Sequence, residues 1–326
     1  MYLPEEIPPV VTSKYFSRFC KSDYNYLRTQ QKYLIKLSTK YDTFSAPRTV
    51  SGRRNLAVVH PLAQLGISLL ITQHRSRIKK IISNKSLYRT EEDIPRSKAF
   101  AGLDFRNWDV QATQIYSESQ FIIKADISRF FYTAYTHSIP WAVLGKEKVK
   151  DWLLHNKSKL NAHWSNDIDT ALQSCQSRET FGIPVGPDTS RVIAEILAAG
   201  VEADKNYSTL VKGRPRVRLI DDFLVGFDDE QDAHTALAAL RRALWKYNLQ
   251  LNEDKSSVLR SRTRYRDKWK LEFEAIRVSD SDDRKQAHDI YKLVDLTLHL
   301  SLEYGTSAPV HWACVRLSGL KRTSAN

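Results

Sequence analysis

Apolar and polar positions follow two rhythms along this chain, and the switches between them mark its elements. Val217-Arg218-Leu219-Ile220 and Phe223-Leu224-Val225 are strand-like runs interrupted by Asp221-Asp222, the pattern of a buried β-hairpin. Gly226 suits a close backbone approach or a bulge. Gln120-Phe121-Ile122-Ile123-Lys124-Ala125-Asp126 is a second apolar strand ending on an aspartate. Another short apolar strand, Asn55-Leu56-Ala57-Val58-Val59, is stopped by Pro61. Elsewhere the period is that of a helix. Leu62, Leu65, Leu69, Leu70 and Ile78 form one stripe, and Ser190, Ile193, Ala194, Leu197 and Ala198 another. Ala233, Ala236, Leu237, Leu240, Leu244 and Tyr247 form a third, capped by Asp228-Asp229-Glu230 and stopped near Asn248. Leu27, Tyr33, Leu34 and Leu37 predict a helix near 22–40. Ile290, Leu293, Val294 and Leu298 predict one over 284–304, although Leu296, Leu300 and Leu302 alternate. Gly305 and Pro309 end it, and a short helix follows over about 310–321.

Composition places this pattern in a soluble globular protein with room for two or three subdomains: 326 residues, 42% hydrophobic and 27% charged. No apolar run approaches the roughly 18 residues of a membrane span. Met1-Tyr2-Leu3-Pro4-Glu5-Glu6 lacks the basic start and apolar core of a secretory signal, so a cytoplasmic protein with no membrane partner is expected. Cys20, Cys175 and Cys314 are far apart and odd in number, which argues against zinc or a disulfide framework. Charge adds a partner. Fifty Lys and Arg against 37 Asp and Glu give +13, an excess that suits a polyanion. Lys14, Tyr15, Arg18, Lys21, Tyr24, Tyr26, Arg28, Lys32 and Tyr33 interleave cations with rings. Single-stranded nucleic acid is one reading of that mixture, and an amphipathic helix with tyrosine anchors is the other. Residues 145–180 carry Lys146, Lys148, Lys150, Lys157 and Lys159 with Trp152 and Trp164, and read as inserted helices facing solvent or nucleic acid.

Candidate chemistry centres on the aspartates. Adjacent charges between buried strands are costly unless a cation compensates them, and a divalent metal is the simplest one. Asp126 supplies a third carboxylate from a separate strand. Two further stretches bear on the site: Phe181-Gly182-Ile183-Pro184-Val185-Gly186-Pro187-Asp188-Thr189-Ser190-Arg191, a Gly/Pro turn opening a helix, and Leu249-Gln250-Leu251-Asn252-Glu253-Asp254-Lys255. Arg191 and Glu195 are spaced for an i,i+4 pair, worth about 0.3–0.5 kcal/mol if exposed. His137 reads as a hydrogen-bonded packing residue rather than a catalytic base. Neither a phosphate-binding Gly-rich loop ending in Lys-Ser/Thr nor a Ser-His-Asp elbow is present.

Strand with Asp, Gly-Pro turn with helix, Asp-Asp hairpin and lysine-bearing turn come in that order, and in that order they resemble motifs A to D of the reverse transcriptase palm. The resemblance spans roughly 45–260. It implies an α+β fold: right-hand polymerase fingers and palm with a small antiparallel palm sheet, then C-terminal helices in place of a thumb. The implied domains are an N-terminal helical segment over 1–45, fingers over 46–118, palm over 119–259 with a helical fingers insertion at about 142–180, and a helical region over 260–326. Tyr135-Thr136-His137-Ser138-Ile139-Pro140-Trp141 and the Gly-Ile-Pro-Val-Gly-Pro…Ser-Arg…Ala-Glu form look like the bacterial abortive-infection and defence-associated members. His60-Pro61 resembles their fingers motif.

The resemblance implies an RNA-directed DNA polymerase, a nucleotidyltransferase with two Mg2+ ions (Mn2+ as an alternative), in antiphage defence. Asp126, Asp221, Asp222 and Lys255 are then the catalytic set. Asp126, the Ile127 carbonyl, Asp221 and Asp222 hold metal. Arg53, Arg54, Arg89, Phe130, Phe131, Gly186 and Ser190 meet the nucleotide, with Phe131 in the place that excludes a ribose 2′-hydroxyl. Arg96 and Lys98 are candidates to line the same channel. Expected partners are dNTPs, RNA or single-stranded DNA, and on one reading a dedicated noncoding RNA; a homo-oligomer is compatible. Val185 stands where the retroviral pattern has glutamine, and Leu219 where a tyrosine is usual. These departures bear on template use and leave the metal chemistry intact, so untemplated or protein-primed synthesis is open. The rival class is a nucleic-acid-binding scaffold with an inactive palm.

Overall fold

The computed structural model describes residues 21–47, 52–82, 88–89, 102–103, 105–261, 268–279, 283–305 and 307–319. Its fold is α+β. The strands are β1 (Asp42–Pro47), β2 (Arg53–Val58), β3 (Tyr88–Arg89), β4 (Gly102–Leu103), β5 (Phe121–Asp126), β6 (Arg216–Leu219), β7 (Asp222–Phe227) and β8 (Ser257–Arg260). β1 pairs with β2 and β3 with β4, while the other four form one antiparallel sheet in the order β6-β7-β5-β8.

That sheet is central because its inner strands are apolar on both faces. In β5, Ile122, Ile123 and Ala125 are buried and only Lys124 is exposed. In β7, every residue after Asp222 is buried. The register runs from Phe121 opposite Phe227 to Asp126 opposite Asp222, so the two strands finish together on a pair of aspartates. Gly226 is required by packing. A β-carbon there would fall 1.9 Å from the Ser119 hydroxyl and 3.0 Å from the Pro215 ring, so the sequence expectation of a close approach holds.

Helix Glu230–Lys246 packs against β5, β7 and β8. The Asp229 carboxylate caps it by accepting from the Asp232 amide at 2.9 Å. Ala233, Ala236, Leu237, Leu240 and Leu244 are buried as the stripe requires, each buried leucine contributing about 1.5–3 kcal/mol. The helix stops where Asn248 turns left-handed at φ 59°, a conformation asparagine tolerates. Helix Asp188–Glu202 lies against helix Ser138–Leu144 and helix Glu230–Lys246, with Ser190, Ile193, Ala194, Leu197 and Ala198 all buried.

Three expectations change. The stripe after Pro61 forms two helices, Pro61–Gln73 and Arg75–Ile81, divided at His74. The N-terminal helix is likewise two pieces, Lys21–Thr29 and Gln31–Leu34. The 145–180 insertion does not wholly face outward. Its last helix, Trp164–Ser174, buries Trp164, Ile168, Ala171 and Leu172 in the main core, a stripe that its polar residues mask in the sequence. His137 packs as expected, its Nδ1 lying 2.6 Å from the Asp169 carboxylate of that helix. Cys175 is buried, and burial pushes its thiol up to about 12.

By its internal contacts the chain divides into two compact units, 1–44 with 56–263 and 45–55 with 264–326. The second holds helices Lys268–Ala275, Asp283–Glu303 and Ala308–Ser318 around Phe273, Leu293, Leu300 and Ala313. Arg316 ties two of these helices by donating to the Phe273 and Ile276 carbonyls. Lys14, Tyr15, Arg18, Cys20, Arg96 and Lys98 lie outside the described residues.

Candidate active site

The two strands that run apolar to their ends, β5 and β7, decide where carboxylates can gather. Asp126 is the last residue of β5, and its register partner Asp222 is the first of β7. Register partners of this kind have α-carbons about 4.5–5.5 Å apart. Asp221 sits in the β6–β7 turn, and its carbonyl accepts from the Ile127 amide at 3.2 Å. Ile220, just before it, adopts φ 57°. A left-handed isoleucine costs about 1–2 kcal/mol, so this turn is held by its surroundings rather than by preference.

Asp126 is fixed by the turn that follows Leu251. Its carbonyl accepts from the Asn252 amide at 2.8 Å, and its own amide donates to the Ser256 hydroxyl at 3.1 Å. The same turn brings Lys255, whose Nζ lies 3.6 Å from Asp126 Oδ2. The lysine is half exposed and the aspartate nearly buried. Thus the first and fourth stretches singled out in the sequence meet directly.

Electrostatics set Asp222 apart. Burial, then the charges of Asp221 and Asp126, push its carboxyl up to about 6, while Lys255 and Lys124 pull the other way. A carboxylate forced up by its neighbours' like charge favours an added cation. The donors are all hard oxygens, which suits Mg2+ or Mn2+ and not a soft metal. Among the described residues, no three His, Cys, Asp or Glu side chains already close round a single point as a metal cage. The fit therefore rests on donor chemistry and on the crowding of charge.

The remaining expected residues are distributed more widely. Phe130 is in the core, 2% exposed, and Phe131 is partly buried beside it with ring centroids 5.9 Å apart. The Phe131 carbonyl accepts from the Ile183 amide at 2.6 Å, which joins the segment after Asp126 to the Gly/Pro turn. In that turn Gly182 and Gly186 have φ 87° and 118°, values that a side chain rarely adopts. Ser190 is buried, and its amide closes the first helical turn on the Pro187 carbonyl. Arg53 lies in the second unit, its guanidinium bonded to the Ser45 hydroxyl at 2.7 Å and the Ser45 carbonyl at 2.6 Å. Arg54 is its partly exposed neighbour on β2. Arg89 lies on β3.

One expected pair is replaced. Arg191 bonds to Asp188 at 3.4 Å, one turn back. Glu195 instead meets Arg218 of β6 at 2.9 Å, with both side chains essentially without solvent contact. Arg218 also reaches Glu202 at 3.0 Å. Burial works against its charge, and Glu202 and Glu195 outweigh burial, so its pKa is raised. Neither this cluster nor Ser256 had a signal in local spacing, because each joins elements distant in sequence.

The family model described as "Reverse transcriptase (RNA-dependent DNA polymerase)" matches residues 67–281, about two thirds of the chain. The chain belongs to the reverse transcriptase family. The enzymatic class of that family is RNA-directed DNA polymerase, a nucleotidyltransferase, and its members generally use divalent metal ions. Similar solved structures include apo telomerase from Candida tropicalis truncated from its C-terminal domain, at 13% identity and a TM-score of 0.45 over 76% of this chain and 57% of that one. Telomerase from Candida albicans in complex with a TWJ fragment of telomeric RNA is similar at 14% identity and a TM-score of 0.43, over 75% and 46%. The reverse transcriptase chain thus spans about half the length of these telomerases. No curated protein matches it.

Proposed function

We propose that this chain is a divalent-metal-dependent reverse transcriptase that extends DNA from dNTPs in bacterial antiphage defence. The observation that carries the reading is the aspartate pair Asp126 and Asp222, facing across β5 and β7, with Asp221 at the adjoining turn and Lys255 3.6 Å from Asp126. Two bound Mg2+ ions would activate the attacking hydroxyl and neutralise the leaving pyrophosphate. Asp126 and Asp221 would hold them, with Asp222 and the Ile127 carbonyl as further donors. Lys255 neutralises charge on pyrophosphate or donates a proton to it. Phe131 would stand behind the sugar, Gly186 would let the backbone approach the new base pair, and Arg89 would serve the triphosphate.

An inert scaffold is the weaker alternative. A palm that only bound nucleic acid would gain from losing the charge at Asp222, whose carboxyl is pushed up to about 6. The defence role draws on the Tyr135–Trp141 run and on the Gly/Pro turn with Val185. Val185 and Leu219 motivate untemplated or protein-primed synthesis as a second mode, beside templated copying of a dedicated noncoding RNA.

The test is incorporation of labelled dNTPs with Mg2+, with and without an RNA template, in the wild type and in Asp221→Ala/Asp222→Ala. Template-dependent product lost in the variant supports ordinary reverse transcription. Product without template, lost in the same variant, supports the second mode. No metal-dependent product under either condition overturns the enzymatic reading.

A further inference from the structure

Behind the aspartates lies a charged cluster that the metal chemistry does not use. Arg218 of β6 is 1% exposed and Glu195 is fully buried. Nη1 of the guanidinium lies 2.9 Å from the Glu195 carboxylate as an ion pair, and the group donates two hydrogen bonds, from Nε to Glu202 at 3.0 Å and from Nη1 to the Ile220 carbonyl at 3.2 Å. The last contact falls on the left-handed residue that directs the chain into Asp221. On the other side, the Ile127 amide holds the Asp221 carbonyl at 3.2 Å. Asp221 is therefore gripped at two successive peptide groups, once from β6 and once from the end of the strand that bears Asp126.

A buried ion pair is a poor means of stabilising a fold, since apolar residues of similar size often serve as well or better. What it supplies here is a fixed direction. An arginine held by carboxylates from one helix has little freedom to drift, and its Nη1, paired with Glu195, donates to the carbonyl of the left-handed Ile220. We propose that Arg218, clamped by Glu195 and Glu202, is a positioning residue that sets Asp221 against Asp126 for metal binding. This rests on the reading of the site given under Proposed function and extends it to residues that touch neither substrate nor metal.

The test pairs Arg218→Met/Glu195→Leu, which removes buried charge from both sides, with Glu202→Gln, a milder change at the most exposed end of the cluster. Hydrogen exchange of the segment 219–223 is followed in metal-free protein, Mn2+ binding by electron paramagnetic resonance, and dNTP incorporation in parallel. In the double variant, exchange should speed at least tenfold and Mn2+ affinity fall at least tenfold, while a cooperative melt is kept. Glu202→Gln should shift both about threefold, and it decides the matter if the double variant does not fold. Adding Ile220→Gly, which removes the left-handed penalty, should restore part of the lost Mn2+ affinity. A residue that merely filled space would not show that rescue. Unchanged exchange and Mn2+ affinity in a folded variant overturn the proposal, as does Mn2+ binding in the wild type that is indifferent to Asp221→Ala. Wild-type Mn2+ binding that depends on Asp221 but gives no incorporation overturns the polymerase reading alone.

Discussion

Asp222 is a residue whose charge the fold tolerates at a cost. Its carboxyl stands at about 6 in the folded chain, above the ordinary carboxylate value, so the folded state holds its proton more tightly than the unfolded chain does. Stability is therefore greatest at low pH from this group, is lost as pH rises to about 6, and stays lost above. With its partial solvent access discounted, the cost at neutral pH is about 1–2 kcal/mol. Asp222→Asn should raise the melting temperature of metal-free protein at pH 7.5 and abolish metal-dependent incorporation. A variant no more stable than the wild type would mean that the crowding of charge is illusory. His137 shifts in the same direction for a different reason. The hydrogen bond that His137 donates to Asp169 raises its pKa, against burial, so the stability it adds is complete below its unfolded value and fades as pH rises through the folded one. In thermal melts, His137→Gln should trail the wild type most at pH 6 and least at pH 9; a pH-independent gap would exclude a charged pair.

Among the elements, the β5–β7 ladder carries the site, and its closest packing is at Gly226. A β-carbon there meets the Ser119 side chain and the Pro215 ring, and Gly226 also donates its amide to the Pro215 carbonyl at 2.8 Å. Gly226→Ala should cost about 1–3 kcal/mol by overpacking, read as a shift of the urea midpoint at unchanged slope. An unaffected midpoint would show that the strand end has slack. The aspartates at the ends of these strands were legible in sequence because apolar flanks made the charges anomalous. The Lys255 turn was legible from its order after them. Arg218 was not, since its partners lie on a helix some 16 to 23 residues earlier and the i,i+4 spacing of Arg191 and Glu195 offered a local pairing instead. Glu195 prefers the strand arginine because its face of the helix is buried, whereas Arg191 has Asp188 within reach one turn back. His137 and Asp169 show the same blindness, being 32 residues apart on different elements.

For the whole molecule, charge is the property that composition already fixed. A chain of net +13 that grips a polyanion releases counterions, so its affinity for RNA or single-stranded DNA should fall by about a hundredfold or more between about 50 and 200 mM salt. A flat salt dependence, measured by fluorescence anisotropy, would exclude a phosphate-tracking surface. Pattern also foretold the C-terminal helices, Asp283–Glu303 and Ala308–Ser318, close to where the hydrophobic period placed them. It did not foretell that 45–55 groups with them, because that association joins distant stretches of chain. The central claim concerns the three aspartates acting with metal, and one measurement reaches it most directly. Single-nucleotide incorporation rates are compared across a Mg2+ titration for the wild type, Asp126→Asn, Asp221→Asn and Asp222→Asn. A metal-saturable rate in the wild type, with at least about a hundredfold loss in Asp126→Asn and Asp221→Asn, is the expected result. A rate in Asp126→Asn equal to the wild type, with the same Mg2+ dependence, would contradict it.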